Sequence, residues 1–584
     1  MNVILVEETT WLGGMLSSAG VSAIDGNHFL PSGLWGEFRQ KLYQYYGNPD
    51  TVKTGWVSDT LFEPHVANEI FYEMIKEYRN ILLINEYWPT KVVVEKDSVR
   101  GSVFENALNK QIQIEAKISI DATEYGDFMS LAGCPFDFGR ESKEQTGETF
   151  APENADTAVQ DLTYVAILQE YDDGKNHIVS KPASYNPDLF KGCCSDWSAK
   201  GDQNLVSAKK MLDYGRLPNK KYMINWPICG NDFKAPDLNC SREEREAYLQ
   251  HAKEHTLSFI YFLQTQLGFE TFGLADNEFS SEDNLPLIPY IRESRRIIGQ
   301  EKLTLDHILD PYSAKIPPLY QQSIAVGDYP LDHHHLDKTV ANSEKYPKIP
   351  AFSVPYACLV PLDKDGLLVA EKSISVSHIV NGCTRLQPVV MQIGQAAGAA
   401  AALCIKKECQ PRQLNVRHLQ TILLNAGVWL MPFKDITADD WVFQSMQKMA
   451  CCGFIKGEGK PYKWANEFYI YPERPVSKSE FLPILYQAGG SNKEVAQLVE
   501  IDEDCTLEEA IVFIWQFLNK PVKNLSAISS LTFSNNVTFN TALTFFQKSN
   551  KLLRFKDQKH FQPDQKLTRR LMSYLIDEMF DFFV

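Results

Sequence analysis

The stretch Val3 to Met15, VILVEETTWLGGM, constrains the fold more than any other part of the chain. Val3-Ile4-Leu5-Val6 is a short apolar, mostly β-branched run, the pattern of a strand buried on both faces. Glu7-Glu8 follow at once, and a turn carrying Gly13-Gly14 comes next. A carboxylate at the end of such a strand is how a βαβ nucleotide-binding unit holds a ribose hydroxyl. On that reading the run is the second strand of its unit, yet only Met1 and Asn2 precede it and G-x-G-x-x-G occurs nowhere. A complete unit sets a strand, a glycine turn and a helix about 20 residues ahead of the acid. The expectation is that Met1 is an internal start, with about 30 residues of the βαβ unit upstream. Taken alone, the stretch is better explained as an ordinary buried strand with a solvated acidic end.

At 584 residues the chain has room for two to four domains. A net charge of −16 and a pI near 5.3 argue against nucleic acid or an anionic membrane as the main partner. No basic segment precedes the first apolar run, which Glu7-Glu8 interrupt, so no cleavable signal peptide is read. As given the chain reads as cytoplasmic, unless a signal was lost with the upstream residues. The longest apolar run, Val389 to Ile405, contains Gln392 and Gln395 and is rich in Ala and Gly, which suits a packed core helix better than a membrane span. The twelve cysteines show no zinc-type spacing, and the vicinal pairs Cys193-Cys194 and Cys451-Cys452 make a poor disulfide framework. They are expected to be reduced and mostly buried.

Leu34, Trp35, Phe38, Leu42 and Tyr45 recur at helical spacing, as do Val66, Ile70 and Met74 between Pro64 and Arg79. Ile81 to Ile84 reads as a strand. KVVVEKD, VRGSVFEN and KQIQIEAKISIDAT predict a three-stranded antiparallel meander, with ISIDAT returning to a parallel sheet. Residues 136–350 mix aromatics, Pro and Asn, with helices predicted over 242–267 and 287–299. The buried-strand pattern resumes at Gly366 to Ala370, a turn is predicted at Asn381-Gly382, and a long small-residue helix from Pro388.

Five segments, in order, carry a resemblance: VILVEETTWLGGM, FEPHVANEIFYEMI, ISIDATEYGDFMSLAG, IPYIRESRRIIG and LLVAEKSISVSHIVNGCTRLQPVVMQIGQAAGAAAAL. Over roughly residues 1 to 425 the chain resembles the FAD-dependent oxidoreductases with the glutathione-reductase-type fold, in particular their fumarate-reductase-like branch. The resemblance implies an α/β protein: a Rossmann-like FAD-binding domain with a β-meander, split between residues 1–135 and 351–430. Residues 136–350 would form a large inserted α+β substrate domain, and 431–584 a mainly helical C-terminal region. It implies FAD as cofactor, with Glu7 on the adenosine ribose, Gly13 and Gly14 in a turn close to the cofactor, and Ala122 and Thr123 at a strand end that leaves it room. Gly394, Gln395 and Ala396 match the turn into a helix whose N-terminus faces the flavin. Lys372 stands where many relatives carry Arg.

For the chemistry, His378 is the first candidate for a proton acceptor, because His is the commonest base beside a hydride-transfer centre. A structural His bound to a carbonyl is the other reading. Arg385 could hold a carboxylate or a flavin anion through its fork, or form a buried ion pair. Arg292, with Glu293, Arg295 and Arg296, is read on a helix, as internal ion pairs or as a clamp for an anionic substrate. His333-His334-His335 cannot easily face one ion, so no metal is assigned there. That loop reads as reaching the substrate cavity through Asp328 or Asp332. Arg474 to Phe481 and a fainter echo at Phe561 to Asp564 with Leu567-Thr568-Arg569 resemble degenerate surface-layer-homology repeats, helical modules that can bind cell-wall glycans; a plain helical appendage packing on the FAD-binding domain is the other reading.

The reading is an FAD-dependent oxidoreductase acting by hydride transfer on a small organic substrate, a sugar or a carboxylate. Two other classes stay open: a truncated, non-catalytic relative that binds wall glycan, and a polysaccharide lyase. Oligomeric state is not read.

Overall fold

A computed structural model of the chain describes residues 1–198, 205–489, 503–519, 539–552, 562–580 and 582–583. Phe561, part of the fainter C-terminal echo, lies outside the described residues. So do 490–502, 520–538 and 553–561 of the predicted helical region.

Strand β1 (Val3–Glu7) pairs in parallel with β2 (Ile81–Asn85), setting Glu7 opposite Asn85. The crossover between them holds two helices, α1 (Gly33–Tyr46) and α2 (Pro64–Lys76). Their apolar stripes lie where the spacing placed them, except that Tyr45 at the end of α1 is exposed. Trp35, Phe38 and Leu42 interlock with Phe62, Val66 and Ile70, and Phe38 stacks on Phe71 with ring centroids 4.8 Å apart. Each such fully buried side chain contributes roughly 1.5–3 kcal/mol. β1 itself departs from expectation. Val3 and Ile4 are 38% and 44% exposed, not buried on both faces, because β2 is the strand's one partner among the described residues.

The meander forms as the alternation predicted, with β3 (Trp88–Glu95), β4 (Ser98–Glu105) and β5 (Gln111–Glu115) antiparallel in that order. β6 (Ser119–Asp121) then pairs in parallel with the buried strand Leu367–Val369, joining residues about 250 positions apart. At its end the buried Asp121 carboxylate accepts from the backbone N–H of Thr123 (2.9 Å) and Met129 (2.7 Å), which fixes the turn that follows.

Residues 136–350 build a three-stranded antiparallel sheet from Ala166–Glu170, Lys221–Ile224 and Phe272–Leu274. The helix Arg242–Gln266, started by a Ser241/Glu244 capping box, forms as predicted. The second predicted helix does not form. Pro286 and Pro289 bias this stretch towards extended backbone, and Arg296–Ile297 pairs as a strand with Phe136–Asp137. Arg292, Arg295 and Arg296 therefore reach in different directions. Asn381-Gly382, read as a turn, lies inside the helix His378–Thr384.

The long helix Gln387–Lys407 buries Val389, Ile393, Ala396, Ala397 and Ala400. It is long and apolar enough to cross a membrane, and 56% of its most apolar window is buried inside the fold. The core holding Val389 and Ile393 continues through Leu430, Met431 and Phe433 into Phe443, Phe481, Ile514 and Leu575, so packing does not break near residue 431. Buried Gln447 binds that passage. Its Oε1 accepts from Leu430 N (2.9 Å) and Met431 N (2.7 Å), and its Nε2 donates to Met431 O (3.0 Å).

Among the described residues of the C-terminal region, three segments share one arrangement. Val476 N donates to Leu567 O (2.8 Å), Leu567 N to Cys505 O (2.7 Å) and Cys505 N to Val476 O (3.0 Å), closing a ring of three short extended segments. A helix leaves each segment, namely Lys478–Ala488, Leu507–Asn519 and Arg569–Met579. Ser477, Thr506 and Thr568 cap them by accepting from Glu480, Glu509 and Leu571 N–H. The middle segment, Asp504 to Glu509, carries no motif that stands out in the sequence.

Candidate active site

The residues 20–28 cross the start of the helix Gln387–Lys407. Gln387 Nε2 donates to Ala23 O (2.9 Å), and Asp25 N donates back to Gln387 Oε1 (3.3 Å). Asn27 N donates to Asp328 Oδ1 at 2.6 Å, anchoring the other end. Asp25 is thereby held at the helix N-terminus within the field of Asp332, Arg385, His334 and Arg292, the charged cluster termed the chamber. Its carboxyl is half-buried and has no hydrogen-bond partner among the described residues. Burial, reinforced by the charge of Asp332, raises its pKa to about 7 against the pull of Arg385, His334 and Arg292.

The chamber wall is a chain of alternating charges. Arg292 Nη2 donates to Asp232 (3.1 Å), and His334 contacts Asp232 through Nδ1 (2.9 Å) and Asp332 through Nε2 (3.2 Å). Arg385 Nη2 donates to the same Asp332 carboxylate (2.8 Å), and its Nη1 to the Tyr290 hydroxyl (2.5 Å). Arg292 is further fixed by Asp161 O (2.8 Å) and Thr163 Oγ1 (2.9 Å). Burial alone would raise both acids, but the adjoining cations hold Asp232 and Asp332 well below the usual carboxylate range. Each guanidinium is thus already matched to a carboxylate. Tyr214 and Tyr329 stand in the field of Asp25 and Asp332.

Two of the three catalytic candidates, Arg292 and Arg385, meet in this chamber, Arg292 from extended backbone instead of a helix. His378 does not. It is 2% exposed, its Nδ1 lies 2.9 Å from Glu293 Oε1 and its Nε2 2.9 Å from Glu344 Oε1. Against the effect of burial, these two carboxylates carry its pKa up to about 9. With both nitrogens engaged it has no free lone pair for a substrate proton. Glu293 also pairs with Arg296, whose Nη2 lies 3.0 Å from Glu141 Oε1. Arg295 goes elsewhere, to Asp127 (2.9 Å). Consecutive histidines part company as the chain extends. His334 turns into the chamber, while His333 donates to His378 O (3.0 Å) and packs so closely on Gly382 that a Cβ there would lie 2.2 Å from its ring.

The residues matched to a cofactor divide in the same way. Glu7, at the C-terminal end of β1, accepts from Thr9 N and Oγ1 (3.0 Å each) through one oxygen, and burial raises it to about 7. Gly13 and Gly14 both take left-handed backbone (φ +108° and +49°), and a Cβ on Gly14 would lie 3.0 Å from Glu124 Oε1. Exposed Ala122 and half-buried Thr123 end β6 beside them. Between these strand ends and the helix Arg242–Gln266 lies a cavity of about 270 Å³, lined by Glu8, Glu124, Tyr125, Arg242 and Arg245 among others. Lys372 is fully buried, its Nζ bound to Glu124 (2.7 Å) and Glu371 (2.6 Å), so it is a structural cation and not a cofactor contact. Gly394, Gln395 and Ala396 lie two turns inside their helix, which begins at Gln387, so their N–H groups do not face outward from a helix end. Gln395 Oε1 instead accepts from Leu34 N (2.9 Å). Gly394 and Gly398 do line an exposed helix face with nothing within 4 Å of a built Cβ.

A carboxylate closing a parallel strand, a left-handed glycine pair, a strand end with small side chains and an open helix face are features suited to a dinucleotide cofactor in a mixed α/β protein. Residues 1–423 match the profile of the family described as FAD dependent oxidoreductase. The chain belongs to that family, and FAD is its cofactor. No curated protein sequence matches the chain. Asp25 and His334 were missed as site residues on sequence. Asp25 sits in SAIDGN, where nothing but the following glycine turn sets it apart, and His334 carries no signal beyond its neighbours.

Proposed function

We propose that the protein dehydrogenates a small, uncharged, hydroxyl-bearing substrate, such as a sugar or polyol, with Asp25 as the proton acceptor. The observation that carries the reading is the Asp25 carboxyl. It is unpartnered, poised near neutral pH, and set at the N-terminus of the helix Gln387–Lys407 beside Arg385. Of the two substrate classes read from the sequence, a carboxylate is disfavoured because Asp232 and Asp332 already neutralise Arg292 and Arg385. A substrate hydroxyl would hydrogen-bond to Asp25, which takes its proton as the adjacent C–H bond gives up a hydride equivalent. FAD, when bound, supplies the hydride acceptor. Glu7 would hold its ribose, and Gly13, Gly14, Ala122 and Thr123 would leave it passage. The first turn of the long helix, from Gln387, takes the place of the Gly394–Ala396 turn at the flavin end. Purified protein mixed anaerobically with sugars, polyols and small carboxylates tests this. Bleaching of flavin absorbance by a hydroxyl compound is expected. Bleaching by carboxylates alone, or a protein that stays colourless with added FAD, overturns it.

The closed ring of three capped helices supports a separate role for the C-terminal region in binding a cell-wall glycan. The full chain is expected to co-sediment with isolated cell-wall polymer with or without flavin, and failure to do so removes the reading.

A further inference from the structure

We propose that His335, Glu344 and His378 form a binding site for a divalent transition metal, with zinc the best fit. The loop 333–335 alone offers no such site, because its histidines point apart. The fold supplies the rest. Glu344 Oε1 lies 2.9 Å from His378 Nε2 and 3.3 Å from His335 Nε2, and the three ligand atoms lie within 4.8 Å of one another. Ligand atoms around a tetrahedral zinc stand roughly 3.3 Å apart, so little movement is needed to admit the ion. Two imidazoles and a carboxylate are a donor set suited to zinc, with one position left for water.

Two further observations separate this cluster from a plain ion-pair network. His335 Nε2 is buried yet has no hydrogen-bond partner, the side chain being only 4% exposed and aimed at Glu344 off hydrogen-bond geometry. A buried polar atom left open in this way calls for a ligand. On the far side of His378, Nδ1 is fixed by Glu293 at 2.9 Å, the carboxylate–imidazole arrangement that orients a metal-binding histidine. A second group, Glu63, His65 and Glu278, also brings ligand atoms together, but Lys221 Nζ already lies 3.0 Å from Glu63 and 2.6 Å from Glu278 and supplies the positive charge there. Near Glu344 the other cation among the described residues, besides His378 whose Nε2 proton the ion would replace, is Arg140, at 3.9 Å and paired principally with Asp156. The ion would tie the loop that carries Asp332 and His334 to the start of the helix His378–Thr384. It would be a structural cross-link behind the chamber wall, taking no part in bond making.

Zinc titration of the metal-stripped full chain against a chromophoric chelator tests this, alongside the variants His335→Asn and Glu293→Gln. Wild type is expected to take up one tight equivalent more than His335→Asn. Comparison between the two cancels zinc held by thiols such as Cys193 and Cys194. Glu293→Gln should weaken that equivalent roughly 10–100-fold. Zinc should raise the thermal midpoint of wild type and not of His335→Asn. Equal uptake by wild type and His335→Asn overturns the site. If His335→Asn does not fold, unchanged affinity in Glu293→Gln does the same.

Discussion

Replacing Asp25 by Asn is expected to lower kcat/KM by roughly 10²–10⁴-fold, the range for removing a positioned general base, while leaving the flavin spectrum of the purified protein unchanged. Asparagine keeps the shape and the backbone bond to Gln387, so the loop should stay in place and only the proton acceptor is lost. The pH dependence makes the test specific. In wild type, kcat/KM should rise with pH through about 7, as the Asp25 carboxyl ionises, and then level off. Asp25→Asn should lose that limb. Asp332, His334, Arg292 and Arg385 all face the same carboxyl, so an unaltered limb in the variant would assign the titration to another group. Stability should move oppositely. A carboxyl whose pKa is raised on folding favours the folded state at low pH, and that contribution is lost as pH rises from about 4 through about 7. Asp25→Asn, neutral throughout, should therefore gain in melting temperature relative to wild type across that window. A variant that is less active and more stable above neutral pH marks a site that trades stability for function.

Much of the frame was legible because it rests on local patterns. The stripes of α1 and α2, the alternation of the meander and the small-residue run from Val389 each announce one element through one period. What failed depended on partners far away in sequence. β1 reads as fully buried from its composition, but burial depends on what lies beside it, and one strand does. YIRESRRIIG carries helical charge spacing, yet Pro286 and Pro289 and the pairing of Arg296–Ile297 with Phe136–Asp137 hold it extended. The site suffered most. Arg385 and Arg292 could be named because Arg385 follows His378 in one resembling segment and Arg292 opens the charge run of another, whereas Asp25 gains its properties from groups 267 to 360 residues downstream. His378 shows the reverse error. Its position just after the strand expected to lead to the flavin suggested a base, but Glu293 and Glu344, both unremarkable in sequence, absorb both ring nitrogens.

The second large effect is structural and falls beside the chamber. Arg296→Met should destabilise the protein by about 3–5 kcal/mol, the cost of stranding a buried carboxylate whose cation is removed. Arg296 is 1% exposed and uses its whole guanidinium: Nε donates to Val376 O (3.1 Å), Nη2 to Gly139 O (2.6 Å), and the two ends pair with Glu293 and Glu141. Methionine fills much of the volume, so packing loss is a minor part of the effect. What remains is Glu293 with His378 and a backbone N–H from Gln160, and Glu141 with the His378 N–H and Lys302 at 3.6 Å. Arg296→Lys keeps the charge but loses the fork, and should fall between the two. Combining Arg296→Met with Glu293→Gln should recover part of the loss, since the stranded charge goes with its partner. The readout is the chemical-denaturation midpoint of the full chain, followed through the flavin and by far-UV circular dichroism. Strict additivity of the two substitutions would show that Arg296 acts through its packing and carbonyl contacts, and that the ion-pair network contributes little to holding residues 293–296 against the helix His378–Thr384.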